Sequence, residues 1–255
     1  IWNQAETGTI PVSGAGYRGP FSGPGFDQMW TDMSEIVRPT RDGIHNREYI
    51  STVIELGRRP DKLIFDDRGT LLNDRQEFFE ISIPIFFDIP ANMVISEPVK
   101  RAIAGAAGKL DTLSIVPYSD CSGIFKEQRK DRFIVKCDLS HQPFSSAGDA
   151  PIMELAYSDD VMTTAAAIKE QLEGKLVAIR VPLDEHAVSR VSRLTANGAE
   201  IIHLEASPDG HGTGTRSGDF IIDLIREIHG NLVENSIRDQ VTLLVSGGIA
   251  MAEHI

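Results

Sequence analysis

The chain is poor in cysteine and in long apolar runs. Its 255 residues include two cysteines, Cys121 and Cys137, which excludes a disulfide-built fold and a four-thiolate iron–sulfur cluster held by this chain alone. The longest apolar stretch, Ile81 to Ile95, is too short for a bilayer span and is interrupted by Asp88 and two prolines. We therefore expect a protein of the reducing cytoplasm without a membrane span.

Basic residues are scarce relative to acidic ones. The 25 Lys and Arg side chains are outnumbered by 37 Asp and Glu, giving a net charge of −12, and this argues against a nucleic-acid partner because phosphates repel such a surface. No grouping of His, Cys, Asp or Glu has the spacing of a metal site, and no Gly-x-Ser-x-Gly motif indicates acyl transfer. A hydrophobic content of 41% supplies a sizeable core for one α/β barrel or two small domains.

The N-terminal third differs in composition and periodicity from the rest of the chain. Residues 1–30 are rich in glycine, proline and aromatic side chains and show no periodicity, which predicts an irregular Gly/Pro-rich extension. Residues 61–80 have the pattern of a hairpin with its turn at residues 66–69, and such a hairpin would close the bottom of a barrel. We divide the chain into this N-terminal part, residues 1–80, and a barrel, residues 81–255.

From Ile81 onward, apolar runs alternate with amphipathic helical stripes, which indicates a parallel sheet covered by helices. The spacing favours a (β/α)8 TIM-type barrel, and periodicity leaves a doubly wound open sheet as the alternative. An eighth strand would have to follow Ile255, so we expect the barrel to be truncated at its C-terminal end in this chain. The predicted strands lie at residues 83–89, 113–116, 133–137, 176–181, 200–206 and 241–245.

Two of these strands run into glycine-rich loops. Glycine lets a backbone approach a ligand where a Cβ atom would block it, and free N–H groups at a helix start can hold a phosphate. In a barrel such loops meet at the carboxyl ends of the strands, so we predict a phosphorylated ligand there. His211, in the first loop, would donate to the phosphate or act as an acid, unless it is an idle surface histidine. The predicted ligand-binding residues are Gly210, Gly212, Thr213, Gly214, Ser246, Gly247 and Gly248.

The segment from Gly198 to Ile249 resembles the FMN-binding barrel of the glutamate synthase family. Its runs GAEIIHLEASPDGHGTG and VTLLVSGGI are similar to the family's GAD–apolar strand–GHDGGTGAS segment and its later DGGI or SGGI segment. Between them, Glu227 to Asp239 resembles the family's ETHQTLVLNGLRD without a gap. The same pattern implies a sixth strand at residues 220–225, whereas their propensity favours a helix.

The resemblance implies electron transfer through FMN to an imine made from 2-oxoglutarate and ammonia, giving glutamate. It implies phosphate binding by Gly247 and Gly248, loop contacts from residues 210–214, and a cation from Arg180 at the flavin edge, with Lys136 as a second cation. The family's three-cysteine iron–sulfur motif is absent, so electrons would come from a donor protein or an iron–sulfur subunit in an oligomeric assembly. The candidate catalytic residues are Lys136, Arg180 and His211.

Several positions depart from the family pattern. Met93, Pro117 and Asp120 stand where the family has glycine, and Gln142 stands where it has lysine. These changes would narrow the floor of the flavin site, and they motivate an alternative, a flavin-free, degenerate barrel that acts as a structural subunit of a redox complex. A third class, a phosphosugar or isoprenoid-phosphate isomerase on the same barrel, would share the phosphate-binding glycines.

His203 and Glu205 alternate with apolar residues along the predicted strand at 200–206. Alternate residues of a barrel strand point inward, so one set of side chains would line the interior. The structural interpretation of this pair is a satisfied core contact with Arg180.

Overall fold

The computed structural model describes residues 54–59, 65–70, 77–88, 95–123, 129–138, 140 and 147–249. The Gly/Pro-rich extension, parts of the predicted hairpin and the substituted positions Met93 and Gln142 lie outside the described residues. The division of the chain at residue 80 stays a prediction.

The described chain begins with an antiparallel hairpin of β1 (Ile54–Gly57) and β2 (Phe78–Ile81). The predicted turn is present, since the amide of Asp66 donates to Thr70 O at 2.9 Å and the Asp66 carboxylate accepts from the amides of Arg68 and Thr70. The predicted strands beside this turn lie largely outside the described residues, and β1 and β2 form a separate antiparallel pair that flanks it.

Six parallel strands form one sheet in which neighbours in sequence are neighbours in space. Every crossover moves one place in the same direction, whereas a doubly wound sheet reverses its strand order partway. The doubly wound alternative is therefore wrong for the described strands. The strands are β3 (Ser114–Pro117), β4 (Phe133–Lys136), β5 (Ile152–Ala156), β6 (Leu176–Pro182), β7 (Ile201–Glu205) and β8 (Thr242–Ser246).

The sheet is curled, because its two edges touch. Phe87 forms a parallel bridge to Ser114 on one edge strand, β3. The next residue, Asp88, accepts a hydrogen bond at 2.9 Å from Ser246 Oγ on the other edge strand, β8. In a flat sheet Asp88, which lies one place beyond β3, and Ser246 would be about six strand spacings apart, or roughly 29 Å. The architecture is thus a curled part of a (β/α)8 barrel, which confirms the predicted fold class.

Four helices among the described residues cover the outside of the sheet. In the helix Ala187–Ala196, the buried residues Ala187, Val191 and Leu194 form the predicted apolar stripe. In the ambiguous segment at residues 220–225, Phe220 forms a bridge to His211 and residues 221–225 begin a helix, so propensity was the correct guide. No described helix combines the length and apolarity needed to cross a bilayer. The helices are α1 (Glu97–Leu110), α2 (Val161–Gln171), α3 (Ala187–Ala196) and α4 (Ile221–Glu234).

Side chains alternate between the two faces of the sheet. The outward set, which includes Val135, Met153 and Leu204, packs with helix residues such as Ile168 and Ile228. The inward set nearest the amino ends of the strands is apolar, and we call it the bottom layer. Its members are Leu113, Ile115, Ile134, Ile152, Leu176, Ala178, Ile201 and Leu244.

The hairpin closes the bottom of the barrel. Leu56 and Ile81 are buried in contact with the bottom layer. The amide of Gly57 donates to Thr242 Oγ1 at 3.1 Å, and Thr242 Oγ1 donates to Gly57 O at 2.9 Å. Arg58 adds a hydrogen bond of 2.8 Å to Thr195 O, at the end of α3. Backbone and side-chain hydrogen bonds therefore fix the hairpin against the amino ends of the strands.

Candidate active site

Charged and polar side chains fill the interior of the barrel at the carboxyl ends of the strands. Along a barrel strand every second side chain points inward, so the inward residue after Ile152 is Glu154 on β5 and the one after Ile201 is His203 on β7. The polar residues at this level contact one another and form one cluster. We call it the strand-end chamber, and its members are Asp88, Lys136, Glu154, Arg180, His203, Glu205 and Ser246.

Arg180, on β6, is held by three carboxylates. Its Nε donates to Glu154 Oε2 at 2.7 Å, its Nη1 lies 3.3 Å from Asp88 Oδ2, and it also bonds to Glu205. Burial alone would lower the pKa of the guanidinium, but the three carboxylates outweigh it and raise that pKa. Arg180 is therefore a permanent cation whose charge is compensated inside the protein.

Glu154, on β5, joins Arg180 to His203. Its side chain is only 1% exposed, and its second oxygen, Oε1, lies 2.7 Å from His203 Nδ1. Burial works to raise the pKa of this carboxyl, yet the bond to His203 and the charges of His203 and Arg180 bring it below its ordinary value. Glu154 is thus an ionised carboxylate in the barrel interior, which is sustainable only because both oxygens are paired.

A row of hydrogen bonds continues from His203 across the barrel. His203 Nε2 lies 2.8 Å from Ser246 Oγ, and Ser246 Oγ lies 2.9 Å from Asp88 Oδ2. Phe86 packs edge-on against the His203 ring at 5.4 Å. Burial favours a higher pKa for Asp88, but the charges of Arg180 and Lys136 lower it. The row therefore ends at an ionised carboxylate.

The chamber opens on the side of Lys136 and Glu205. Lys136 Nζ lies 3.5 Å from Asp88 Oδ1, and its side chain is 30% exposed. The Glu205 side chain is 35% exposed, against 9% for Arg180. Reactants from solvent would therefore meet Lys136 and Glu205 first, and Asp88, whose side chain is only 10% exposed, lies directly behind Lys136.

The loops after β7 and β8 abut one another through their glycines. A Cβ atom on Gly248 would overlap the backbone of Gly210, and one on Gly247 would lie 2.5 Å from Ala206 O. Both Gly247 and Gly248 have positive φ, at 105° and 69°, which glycine adopts at no steric cost. Neither of their amides donates to a described residue, so these two N–H groups are available to a ligand.

The glycine loop also packs against the loop after β6. A Cβ on Gly212 would lie 2.9 Å from Leu183 O, and one on Gly214 would lie 2.9 Å from a carboxylate oxygen of Glu185. Its own amides are largely used inside the protein, because Gly212 donates to Asp219 O at 3.0 Å and Thr213 to Leu183 O at 2.8 Å. Close contact between loops accounts for these glycines.

His211 lies in this loop, outside the chamber. Its ring packs against Phe220 at 4.3 Å. Its Nδ1 is buried without a hydrogen-bond partner among the described residues, although Asp209 Oδ2 lies 3.5 Å away. No described contact joins His211 to Lys136 or Arg180, so the structure brings together two of the three candidate catalytic residues.

Four members of the chamber were not among the predicted site residues: His203 and Glu205 were interpreted as a core contact with Arg180, and Asp88 and Glu154 were not singled out. Glu154 lies on β5, a strand that was not predicted because a carboxylate interrupts its short apolar run. Asp88 lies within the first predicted strand, residues 83–89, which forms only the bridge at Phe87 in the described residues. The available signal was a single charge inside an apolar run, which is the pattern of an inward-facing residue at a strand end. The predicted core contact of His203 and Glu205 with Arg180 is direct only for Glu205. His203 is joined to Arg180 through Glu154, which bonds to both.

A surface hollow of about 560 Å³ lies outside the chamber, beside the start of α3. Its basic residues are already paired, since Arg190 binds Asp184 at 2.6 Å and Arg193 bonds to Tyr157. The chamber is the better candidate site, because its charged groups are buried and converge on one point.

The fold and the site define a (β/α)-barrel protein with polar chemistry at the carboxyl ends of its strands. No protein-family model matches the chain. It is similar to the archaeal-type glutamate synthase (NADPH) of Dehalococcoides mccartyi, with 23% identity over 302 aligned positions that cover 98% of this chain and 59% of that protein. It is also similar to the triosephosphate isomerase of Bartonella henselae, with 14% identity and a TM-score of 0.41 over 65% of this chain and 83% of that one.

The resemblance to glutamate synthase that the sequence predicted is confirmed by this similarity. The similarity extends over nearly the whole chain and is not confined to the glycine loops. The chain spans about three fifths of the length of the curated relative that it matches.

Proposed function

We propose that this chain is the barrel of a flavin-dependent oxidoreductase of the glutamate synthase type, in which FMN reduces an imine derived from a 2-oxo acid such as 2-oxoglutarate. Its electrons would come from a donor protein or an iron–sulfur subunit in an oligomeric assembly. A reducing cytoplasm is the proposed location, in keeping with two free cysteines.

The observation that carries the proposal is the buried charge of the strand-end chamber. Removing an ion from water costs several kcal/mol, and replacing a buried ion pair by apolar residues is often neutral or stabilising. A barrel selected only for stability has no need of Glu154 and Arg180 at this position. The carboxyl ends of barrel strands are where catalytic groups of this fold collect, so these residues are best explained by chemistry.

The described residues fit the phosphate of FMN better than its ring. Gly247 and Gly248 offer two unused amides directly after β8, and the unpaired Nδ1 of His211 lies in the neighbouring loop. At the chamber, the charge of Arg180 is already compensated by carboxylates. A ring placed over the chamber would therefore meet a nearly neutral surface, with Lys136 as its more exposed cation.

FMN would supply the electron transfer when bound, and the protein would hold the reactants and manage the protons. The amides of Gly247 and Gly248 would bind the phosphate. Lys136 and Glu205, at the open side of the chamber, would orient a substrate that carries both a carboxylate and an imine nitrogen. Arg180 would keep the neighbouring carboxylates ionised and in place.

A second candidate is the flavin-free barrel that serves as a structural subunit of a redox complex. The observation that favours it is the saturation of Arg180 by three carboxylates, together with the internal use of the amides of Gly212 and Thr213. In this case the chamber would be a self-contained ionic core.

The two candidates are separated by titrating the purified protein with FMN and with riboflavin, which lacks the phosphate. We expect FMN to bind and to give the visible flavin spectrum. Riboflavin should bind at least about 100-fold more weakly, because two charge-assisted hydrogen bonds of about 1.5 kcal/mol each would be lost. Absence of binding by either flavin would overturn the flavin proposal and support the structural subunit.

A glycine pair in the same loops provides the control. Gly248→Ala places a methyl group against Gly210 and should weaken FMN binding by at least about tenfold. Gly218→Ala is the matched change, because a Cβ there would meet nothing within 4 Å, and it should leave FMN binding unchanged. Equal effects of the two substitutions would place the phosphate elsewhere.

A further inference from the structure

The row from Glu154 to Asp88 contains three hydrogen bonds, but a neutral His203 and Ser246 carry only two donor protons between them. Three links follow one another, Glu154 to His203 Nδ1, His203 Nε2 to Ser246, and Ser246 to Asp88, at 2.7, 2.8 and 2.9 Å. Each link needs one proton. A neutral imidazole and a hydroxyl group supply two protons, and ionised carboxylates supply none. The geometry therefore requires one additional proton in the row.

The additional proton has three possible positions, of which two are disfavoured. On Glu154 or on Asp88 it would neutralise a carboxylate that also pairs with Arg180. Arg180, a permanent cation, lies 2.7 Å from Glu154 and 3.3 Å from Asp88, and its charge favours the ionised form of both carboxyls. On His203 the proton satisfies every link, because both ring nitrogens then donate and Ser246 donates onward to Asp88.

We propose that Glu154, His203, Ser246 and Asp88 form a proton relay, in which His203 holds the additional proton and Asp88 delivers it to the open side of the chamber. In one delivery Asp88 receives the hydroxyl proton of Ser246 and passes a proton to the acceptor, while Ser246 takes the Nε2 proton of His203. His203 is left neutral with its Nδ1 proton still bonded to Glu154. One proton leaves the row, and one proton from solvent restores it by the reverse path.

The groups around His203 suit this role. Glu154 faces it from β5 and compensates its charge, and Arg180 lies beside it on β6 without contacting it directly. Phe86 shields the ring from water. At the other end of the row, Asp88 pairs with Lys136 and Arg180, and Arg180 also binds Glu205. The buried end of the row thus holds charge, while its far end contacts Lys136 at the open side of the chamber.

Delivery of the proton rests on the proposed function, since reducing an imine adds a hydride to carbon and a proton to nitrogen. The stored proton itself depends only on the geometry of the row. A failure of flavin binding would remove the acceptor but would leave the protonation of His203 to be observed.

The test is the protonation of the His203 ring at pH 7, read from ring-nitrogen NMR shifts of protein labelled with 15N-histidine. His203→Asn identifies its signals among the seven histidines. We expect both nitrogens of His203 to carry protons. Asp88→Asn should make His203 neutral, because an amide at position 88 donates to Ser246, which can then donate to His203, and the row is complete without the additional proton.

Glu205→Gln is the matched control. It also removes one carboxylate from Arg180, but among the described residues the Glu205 side chain forms no hydrogen bond or ion pair with a side chain of the row; its strand pairing with Ser246 runs through the backbone, which the substitution keeps. We expect Asp88→Asn to reduce the doubly protonated fraction of His203 at least about tenfold, a change of about 1.4 kcal/mol, and Glu205→Gln to leave it unchanged. A singly protonated His203 in the native protein, or an equal response to the two substitutions, would overturn the relay.

Discussion

The bottom layer and the strand-end chamber are built by the same strands, only two residues apart along each strand. On β4, Ile134 is followed inward by Lys136, and on β5, Ile152 is followed by Glu154. The lower side chains are apolar and covered by the hairpin. The upper ones are charged and bonded to one another. A displacement of about 7 Å along a strand thus separates a region that holds the fold from one equipped for chemistry.

This difference shows that stability and chemistry depend on different levels of the barrel interior. An apolar side chain in the bottom layer contributes through burial and packing, which depend little on pH. A charged side chain in the chamber depends on its partners and on their ionisation. Substitutions at the two levels should therefore differ in their pH dependence as well as in size.

The largest effect is expected from Glu154→Leu. This change leaves His203 without its carboxylate partner and removes one of the three carboxylates from buried Arg180. We expect it to lower the free energy of unfolding by about 3–5 kcal/mol. Urea unfolding at pH 7 measures the loss. Glu154→Gln, which keeps the shape and one acceptor oxygen, should cost less.

The pH dependence of this effect separates charge from packing. Because the folded pKa of Glu154 is lowered from its ordinary value of 4.5, its contribution to stability is present above that value and is lost as pH falls through the lower, folded pKa. The difference between native protein and Glu154→Leu should therefore shrink in acid. A difference that is constant from pH 7 into that range would mean that packing alone is responsible.

A smaller effect, independent of pH, is expected in the bottom layer. Ile134→Ala removes a fully buried side chain and should cost about 3 kcal/mol, whereas Ile134→Val should cost about 1 kcal/mol. Urea unfolding over the same pH range checks both. A cost that varied with pH like that of Glu154→Leu would remove the distinction between the two levels.

The smallest effect is expected where the hairpin joins the barrel. Thr242→Val removes both hydrogen bonds to Gly57 and should cost about 1–2 kcal/mol, since the backbone groups left behind are only partly buried. Thermal unfolding measures the change. An unchanged midpoint would mean that apolar contacts of Leu56 and Ile81 alone secure the hairpin.

The sequence predicted the elements whose signals are local. The strands at 113–116, 133–137 and 176–181 are continuous apolar runs, and the glycine loop follows a strand in the order that the family resemblance implies. The helical interpretation of 220–225 rested on propensity and was correct. The spacing of the elements suited a barrel, but the doubly wound sheet stayed open as an alternative because periodicity does not encode strand order.

The chamber could not be assembled from the sequence, because its contacts are not local. Arg180 lies 26 residues from Glu154 and 92 from Asp88. Arg180 and Lys136 were identified as cations, but the carboxylates that compensate them were not. Strand β5 was missed because Glu154, the residue that gives it a role in the chamber, breaks the apolar run by which a short strand is recognised.

The binding of one guanidinium by three carboxylates also has an evolutionary consequence. Arg180 connects β5, β7 and the segment before β3 through Glu154, Glu205 and Asp88. Loss of the arginine would leave three carboxylates close together without a cation between them. Loss of the carboxylates would leave a buried cation without a partner. These four positions can change readily only in combination, so a lineage that abandons the arginine should replace its acidic partners as well.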